Sequence, residues 1–302
     1  MSKIYVLYNP HSGHNTGKQK AEALNAQYDT ALTYVDMTTI TDYRTFAAAL
    51  GAEDKLIICG GDGTLNRFVN EIYDLGIEND ILYYATGSGN DFLRDFGKSA
   101  GSAPMRINDE IKNLPVVTVN GKSYRFINGI GYGLDGYCCE VGDALRLSSE
   151  KPVSYTAIAI KGLLSKYKPT NATVTVDGVT REYKKVWIAP TMVGRYYGGG
   201  LMPTPGQRRE DRTDHVSVGV MHHAGRLHTL LVFPSVSKGG HIKHKSLAAE
   251  FQGRRIKVAF DRPVALQIDG ETVLGVTEYE VTVDPALLSQ EPAAELLLSG
   301  KA

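Results

Sequence analysis

The chain has 302 residues, 42% of them hydrophobic and 22% charged, an ordinary balance for a globular protein with one large core or two medium ones. Lys plus Arg equals Asp plus Glu at 33 each, which removes any global charge argument for nucleic-acid binding. Three cysteines, two of them adjacent (Cys138 and Cys139), make neither a disulfide framework nor metal-ligand spacing, so a reducing cytosol is the expected setting.

The chain opens on a strand, Ile4–Tyr8, with no signal-peptide pattern before it. The loop Asn9-Pro10-His11-Ser12-Gly13 follows, then a helix near Lys18–Tyr28 and a strand at Ala31–Val35. A helix near Asp42–Leu50 leads to the buried strand Lys55–Cys59. Gly60-Gly61-Asp62-Gly63-Thr64 comes next and runs into a helix, Leu65–Leu75. Strand Ile81–Ala85 then meets a second glycine loop, Gly87-Ser88-Gly89-Asn90-Asp91, which opens the helix Asp91–Phe96. Strand–helix alternation predicts a mostly parallel sheet covered on both faces, whose ligands bind at the carboxyl ends of its strands. All three unusual loops fall at those ends.

The texture changes near Leu114. Val116–Val119 and Tyr124–Ile127 flank Asn120-Gly121, and Ala172–Val176 and Val179–Lys184 flank Asp177-Gly178, two hairpin signals. Further strands are expected at Val186–Ala189, Val216–Met221, Ile256–Phe260, Ala265–Ile268 and Tyr279–Val283, with helices near Tyr137–Leu147, Ser154–Tyr167 and Leu227–Phe233. This predicts a β-rich second domain of two packed sheets over residues 116–285. The first domain covers residues 1–115, and the apolar tail 286–302 is expected to pack back on it. The greasiest helix, Tyr155–Leu164, is interrupted by Lys161 and too short to cross a bilayer, so membrane contact is expected to be peripheral.

Glycines in a strand-to-helix turn let backbone amides approach an anion, and the helix dipole assists. A carboxylate inside such a turn makes sense where a divalent cation sits between it and phosphates; its other reading is a helix cap. Asp62 and Asp91 occur in two such turns on successive strands, so they would share one crevice. The loop Ser12–Gln19 misses the Walker A spacing, so Asn9 and Ser12 either touch phosphate or simply shape a turn. Asp135, after Gly129-Ile130-Gly131-Tyr132-Gly133, is a third carboxylate able to face the cleft, or part of a structural bend. Asp269-Gly270-Glu271 is either a hairpin tip or the position of a general base. Lys238, His241, Lys243, His244 and Lys245 form a basic run, either a solvated loop or a contact for an anionic membrane.

Six motifs in order resemble the diacylglycerol kinase-type lipid kinases, relatives of the sphingosine and ceramide kinases. They are Asn9-Pro10 with Ser12-Gly13, Gly60–Asn66, Gly87–Arg94, Gly129–Asp135, Gly194–Gly200 and Asp269-Gly270-Glu271. The resemblance implies a phosphofructokinase-like α/β nucleotide domain and a C-terminal β-sandwich, with the active site between them. It implies ATP and Mg2+ as cofactors and a lipid hydroxyl at the membrane surface as acceptor. Gly60, Gly61, Asp62, Gly63, Thr64, Gly87, Gly89 and Asn90 would meet the nucleotide, and Asn9 and Ser12 would assist. Asp62, Asp91 and Asp135 would hold metal, Asp269 would be the base with Glu271 beside it, and Asp214 would belong to a structural metal loop. The chain departs from the pattern in two places: Ala85-Thr86 lacks the usual proline, and Asp214-His215 replaces Asp-Gly beside Arg208, Arg209 and Arg212. An NAD kinase-like enzyme and a non-catalytic nucleotide-binding regulator are the competing readings. The acceptor lipid and the oligomeric state, a homodimer included, are left open.

Overall fold

A computed structural model describes residues 2–87, 89–148 and 153–284. The expected return of residues 286–302 to the first domain lies outside them.

The first domain is a five-stranded sheet of order β2-β1-β3-β4-β5. Its parallel strands are β1 (Ile4–Tyr8), β2 (Leu32–Asp36), β3 (Lys55–Gly60) and β4 (Asp80–Ala85), and the short β5 (Met105–Arg106) runs antiparallel to β4. The helices are α1 (Ser12–Asn15), α2 (Gly17–Glu22), α3 (Tyr43–Ala48), α4 (Asp62–Ile72) and α5 (Asp91–Arg94). Strand β3 explains the two-faced burial. Leu56 and Ile58 point to one side, against Phe68 and Val69 of α4, while Ile57 and Cys59 point to the other, against Ala21 and Leu24. That is the alternation of a strand covered on both faces, and each such Leu or Ile contributes about 1.5–3 kcal/mol. Asp42 caps α3 by accepting from the amides of Arg44 and Thr45.

The second domain is an antiparallel β-sandwich hydrogen-bonded as one ten-stranded network among the described residues. Its strands are β6 (Val116–Val119), β7 (Lys122–Arg125), β8 (Gly129–Tyr132), β9 (Thr170–Val176), β10 (Val179–Val186), β11 (Thr191–Met192), β12 (Val216–Met221), β13 (Ala248–Gly253), β14 (Arg255–Ile268) and β15 (Glu271–Thr282). β14 holds the layers together. Its first half pairs with β9 and its last residues pair with β8, while β15 follows it along most of its length. Ile256, Val258, Leu266 and Ile268 of this strand lie in one core with Val117, Val174, Val218 and Val281. Helices α6 (Leu134–Ser148), α7 (Tyr155–Lys161) and α8 (Arg226–Val232) cover a second core built on Trp187 and Leu163.

The structure corrects several expected boundaries. The segments Ile256–Phe260 and Ala265–Ile268 are one strand, because Pro263 falls where the register shifts between Ala259 and Val264. A bulge tolerates a missing amide there. β13 was not expected, since Ala248–Gly253 has no β-branched residue. Val186–Ala189 is not a strand of its own: β10 ends at Val186, and Ile188 makes isolated bridges. The helix expected over Ser154–Tyr167 is α7 followed by a π turn, Gly162–Lys166.

Candidate active site

The two glycine loops lie against each other at the carboxyl ends of β3 and β4. The amide of Thr86 donates to the carbonyl of Gly60 at 2.8 Å. A Cβ added to Gly87 would stand 2.5 Å from the Cα of Gly61, so neither loop has room for a side chain there. Helix α4 begins at Asp62, three residues earlier than the apolar periodicity predicts, which makes the glycine motif itself the first turn. First-turn amides have no intrahelical acceptor, so this end of α4 offers donors and dipole to an anion. The side chain of Thr64 packs over Gly60, whose added Cβ would meet it at 2.4 Å.

Asp62 is a cap, but of the next motif's helix. Its Oδ2 accepts from the amide of Asp91 at 2.8 Å and its Oδ1 from Phe92 at 3.1 Å, so it holds the first turn of α5. Burial raises its pKa, against the pull of those two amides. Asp91 is buried, and its Oδ2 accepts from the amide of Gly199 at 2.8 Å. Its Oδ1 has no hydrogen-bond partner, with Arg94 Nε 3.8 Å away. Burial, with the Asp62 charge adding to it, pushes Asp91 up to about 6. A Cβ on Gly89 would fall 3.5 Å from Asp62 Oδ2 and 3.7 Å from Asp91 Oδ2, so both carboxylates border one small space. Thr86 Oγ1 and Asn90 Oδ1 are also buried without partners. Among the described residues of 86–91, three buried polar atoms therefore lack a protein partner. Two carboxylates suit magnesium, which takes one or two protein carboxylates and completes its shell with phosphate oxygens and water. No group of three His, Cys, Asp or Glu placed to hold a metal occurs among the described residues.

Asp269 occupies a two-residue turn between β14 and β15, with φ of +46° there and +96° at Gly270. Its Oδ2 accepts from the amide of Ile127 at 2.5 Å, and its Oδ1 from the amides of Asn128 and Gly129, each at 2.9 Å. Asp269 as a residue is half-buried, and packed protein strips most of the hydration from its carboxyl. Burial therefore pushes it up to about 7 although three amides favour the charged form, and the Asp62 charge adds to the rise. The N-terminus of α4 comes up to this turn: a Cβ on Gly63 would lie 3.8 Å from the Asp269 carbonyl and 4.0 Å from Glu271 Oε1. Glu271 is exposed. Asp135, at the start of α6, accepts from the Tyr197 hydroxyl at 2.6 Å, and burial pushes it up to about 7. Tyr197 and Gly199 belong to one glycine-rich turn, so a single segment fastens both Asp135 and Asp91.

The domains are riveted beside this cluster by Arg209. Its Nη2 stands 2.7 Å from Asp95 Oδ2, and the two side chains are 2% and 5% exposed. It also donates to the carbonyl of Ile127 and to Asn128 Oδ1, and lies over the ring of Phe92. The residues it grips are those whose amides hold Asp269. In the sequence Arg209 is one of three arginines beside Asp214, and no local signal marks it as the buried one.

Other expected residues are spent locally. Asn9 Oδ1 accepts from the amide of His11, and Ser12 Oγ donates to the Asn9 carbonyl at 2.8 Å, so both shape their own turn. Lys20 Nζ donates to the Thr86 carbonyl at 2.8 Å and ties this turn to the second glycine loop. Asp214 stands exposed at the end of the 3-10 turn Arg209–Thr213, its amide donating to the Asp211 carbonyl. In the basic run, His241 is not a surface group. It is buried with Nε2 3.0 Å from the Pro203 carbonyl, while Lys238, Lys243, His244 and Lys245 are exposed. Two depressions of about 340 and 490 Å³ lie on the second domain, lined by none of the acids above.

Residues 3–119 match the diacylglycerol kinase catalytic domain, and residues 128–290 match the YegS C-terminal NAD kinase β-sandwich-like domain. A diacylglycerol kinase of Bacillus subtilis (strain 168) is 25% identical over 283 residues, covering 90% of each chain. A diacylglycerol kinase of Mycobacterium tuberculosis is 25% identical over 258 residues, 80% of this chain and 81% of that one. The crystal structure of a diacylglycerol kinase from Bacillus anthracis str. Sterne shares the fold with a TM-score of 0.59 at 18% identity, covering 93% of this chain and 94% of that chain.

Proposed function

The chain belongs to the diacylglycerol kinase-type lipid kinase family, and from that premise we propose that it transfers the γ-phosphoryl group of ATP, with magnesium, to a hydroxyl of a membrane lipid such as diacylglycerol. The observation that carries this reading is the convergence of Asp62, Asp91 and Asp269, far apart in sequence, between the glycine loops and the tip of β14. Asp62 and Asp91 are the carboxylates that would hold the cation, with the free Oδ1 of Asp91 available to it. Magnesium, when bound with the nucleotide, supplies positive charge against the triphosphate.

The remaining work falls to the chain itself. The amides at the start of α4 and the loop Gly87–Asn90 cradle phosphate oxygens. Asp269 accepts the proton of the lipid hydroxyl as its oxygen bonds to the γ-phosphorus and the bond to the leaving ADP oxygen breaks. A carboxyl lifted toward neutrality is a better base at neutral pH than one at its ordinary value. Glu271 adds negative charge at the same tip. Asp135, held by Tyr197, fixes the turn that also holds Asp91. The test is phosphorylation of a lipid panel in mixed micelles with labelled ATP and magnesium. Labelled lipid that disappears when the cation is chelated is expected; labelled NADP from NAD, with every lipid unlabelled, overturns the reading.

A further inference from the structure

Two stretches of the second domain contain no Asp or Glu, residues 153–176 and 215–249. They include α7 with its π turn and α8, and the two are fastened together. Arg226, at the start of α8, donates to the carbonyls of Leu163 and Tyr167, each at 2.8 Å. Inside this assembly, Ile158, Leu163 and Val232 close a core against α6. Outside it, the same elements present leucines to water. Leu227 and Leu231, four apart and so on one face of α8, are each 72% exposed. Ile160 and Leu164, also four apart, are exposed on the neighbouring turns, and Leu147 at the end of α6 is 92% exposed. Away from these helices, Val179 and Leu274 are the large exposed apolar side chains among the described residues. Lys161 and Lys166 are exposed on the same segment as Ile160 and Leu164, and the exposed Lys238 follows α8. The depression of about 340 Å³ adjoins the π turn; Lys166, Lys168 and Arg262 border it, and Glu140 is the one carboxylate in its wall.

We propose that this helical face seats the protein on an anionic phospholipid bilayer, with the leucines entering the boundary of headgroups and acyl chains and the lysines meeting lipid phosphates. The exposed apolar residues of α7, its π turn and α8 stand on stretches that carry lysines and no carboxylate, with Glu140 and Asp143 contributed only by α6 beside them, a balance that matches that surface in polarity and charge. A second copy of the chain matches it less well, because a two-fold interface would set the same lysines against one another. The inference rests on the lipid kinase reading, and it moves the membrane contact from the basic run to the helices.

The test uses the full chain and vesicles of phosphatidylcholine with and without phosphatidylglycerol. The parent protein is expected to sediment with the anionic vesicles. Leu227→Gln with Leu231→Gln, and separately Ile160→Gln with Leu164→Gln, are each expected to lower the partition by about 100-fold, the loss for two apolar side chains at the low end of the range for their size. Turnover of a dissolved short-chain diacylglycerol should stay at the parental rate in both. Parental sedimentation of both double variants overturns the proposal. So does a parent dimer, seen by analytical ultracentrifugation, that both variants dissociate. A parent that binds anionic vesicles through this face yet phosphorylates no lipid, dissolved or in vesicles, leaves the docking face standing and removes the kinase reading instead.

Discussion

Replacing Arg209 by Met tests whether one buried guanidinium holds the two domains in register. The substitution keeps most of the side-chain volume and removes the charge. Asp95 then loses its 2.7 Å partner while remaining buried, and the Ile127 carbonyl and Asn128 Oδ1 each lose a donor. Breaking a buried pair by removing one partner costs about 3–5 kcal/mol, chiefly from the charge left behind. The amide of Arg195 still donates to Asp95, which argues against the top of that range. At about 2–4 °C per kcal/mol for domains of this size, about 3–4 kcal/mol lowers the melting temperature by about 6–16 °C. Lys257→Met is the contrast, since its 2.9 Å pair with Glu278 has side chains 44% and 54% exposed. Pairs of that kind contribute about 0–1 kcal/mol. The assay is scanning calorimetry of the three proteins at one pH and salt. An Arg209→Met protein that melts with its parent, or with the Lys257→Met protein, refutes the rivet. Adding Asp95→Leu to Arg209→Met should recover part of the loss, because the buried charge goes as well.

Asp269→Asn should reduce kcat by about 10²–10⁴-fold, the range for a general base. It should also destabilise by about 1–3 kcal/mol, since an amide cannot accept all three backbone N–H groups that the carboxylate does. Steady-state kinetics beside thermal melts measure both, and a parental kcat removes the base. The pH dependence has a worked sign. Asp91, Asp135 and Asp269 are held at about 6, 7 and 7, above the unfolded value. The folded state therefore binds protons more tightly than the unfolded one. The stability this adds is fully present below about pH 4 and is lost as pH rises through about 6–7. Melting temperature should fall from pH 5 to pH 8 while the lipid kinase rate rises across pH 7. A melting temperature that climbs over that interval contradicts the raised carboxyls.

The parallel sheet was legible because strands buried on both faces read as unbroken apolar runs, as in Leu56–Cys59. The glycine loops were legible because close backbone approach needs glycine in sequence, and Gly61 against Gly87 is such an approach. Asp269 was legible as a turn, with Asp-Gly supplying two left-handed residues. What escaped reading was tertiary. Nothing local distinguishes Arg209 from Arg208 or Arg212; burial against Asp95 does, and that pairing spans 114 residues. Likewise the choice between cap and ligand for Asp62 could not be resolved locally, because the helix it caps belongs to the next motif. β13 stayed hidden because its residues favour no strand, and its order comes from pairing with β12 along its whole length.

The tip that carries Asp269 is pinned on every side, by its left-handed turn, by the β14–β15 ladder and by the three amides gripping its carboxylate. If Asp269 is the proton acceptor, as proposed, a carboxylate held this way behaves as a ruler. Under the proposed mechanism the base does not stretch toward its alcohol, so the alcohol has to rise to a set height. Acceptors should then be sorted by how far their hydroxyl can be lifted out of the lipid leaflet, and acyl-chain length, buried below that height, should matter far less.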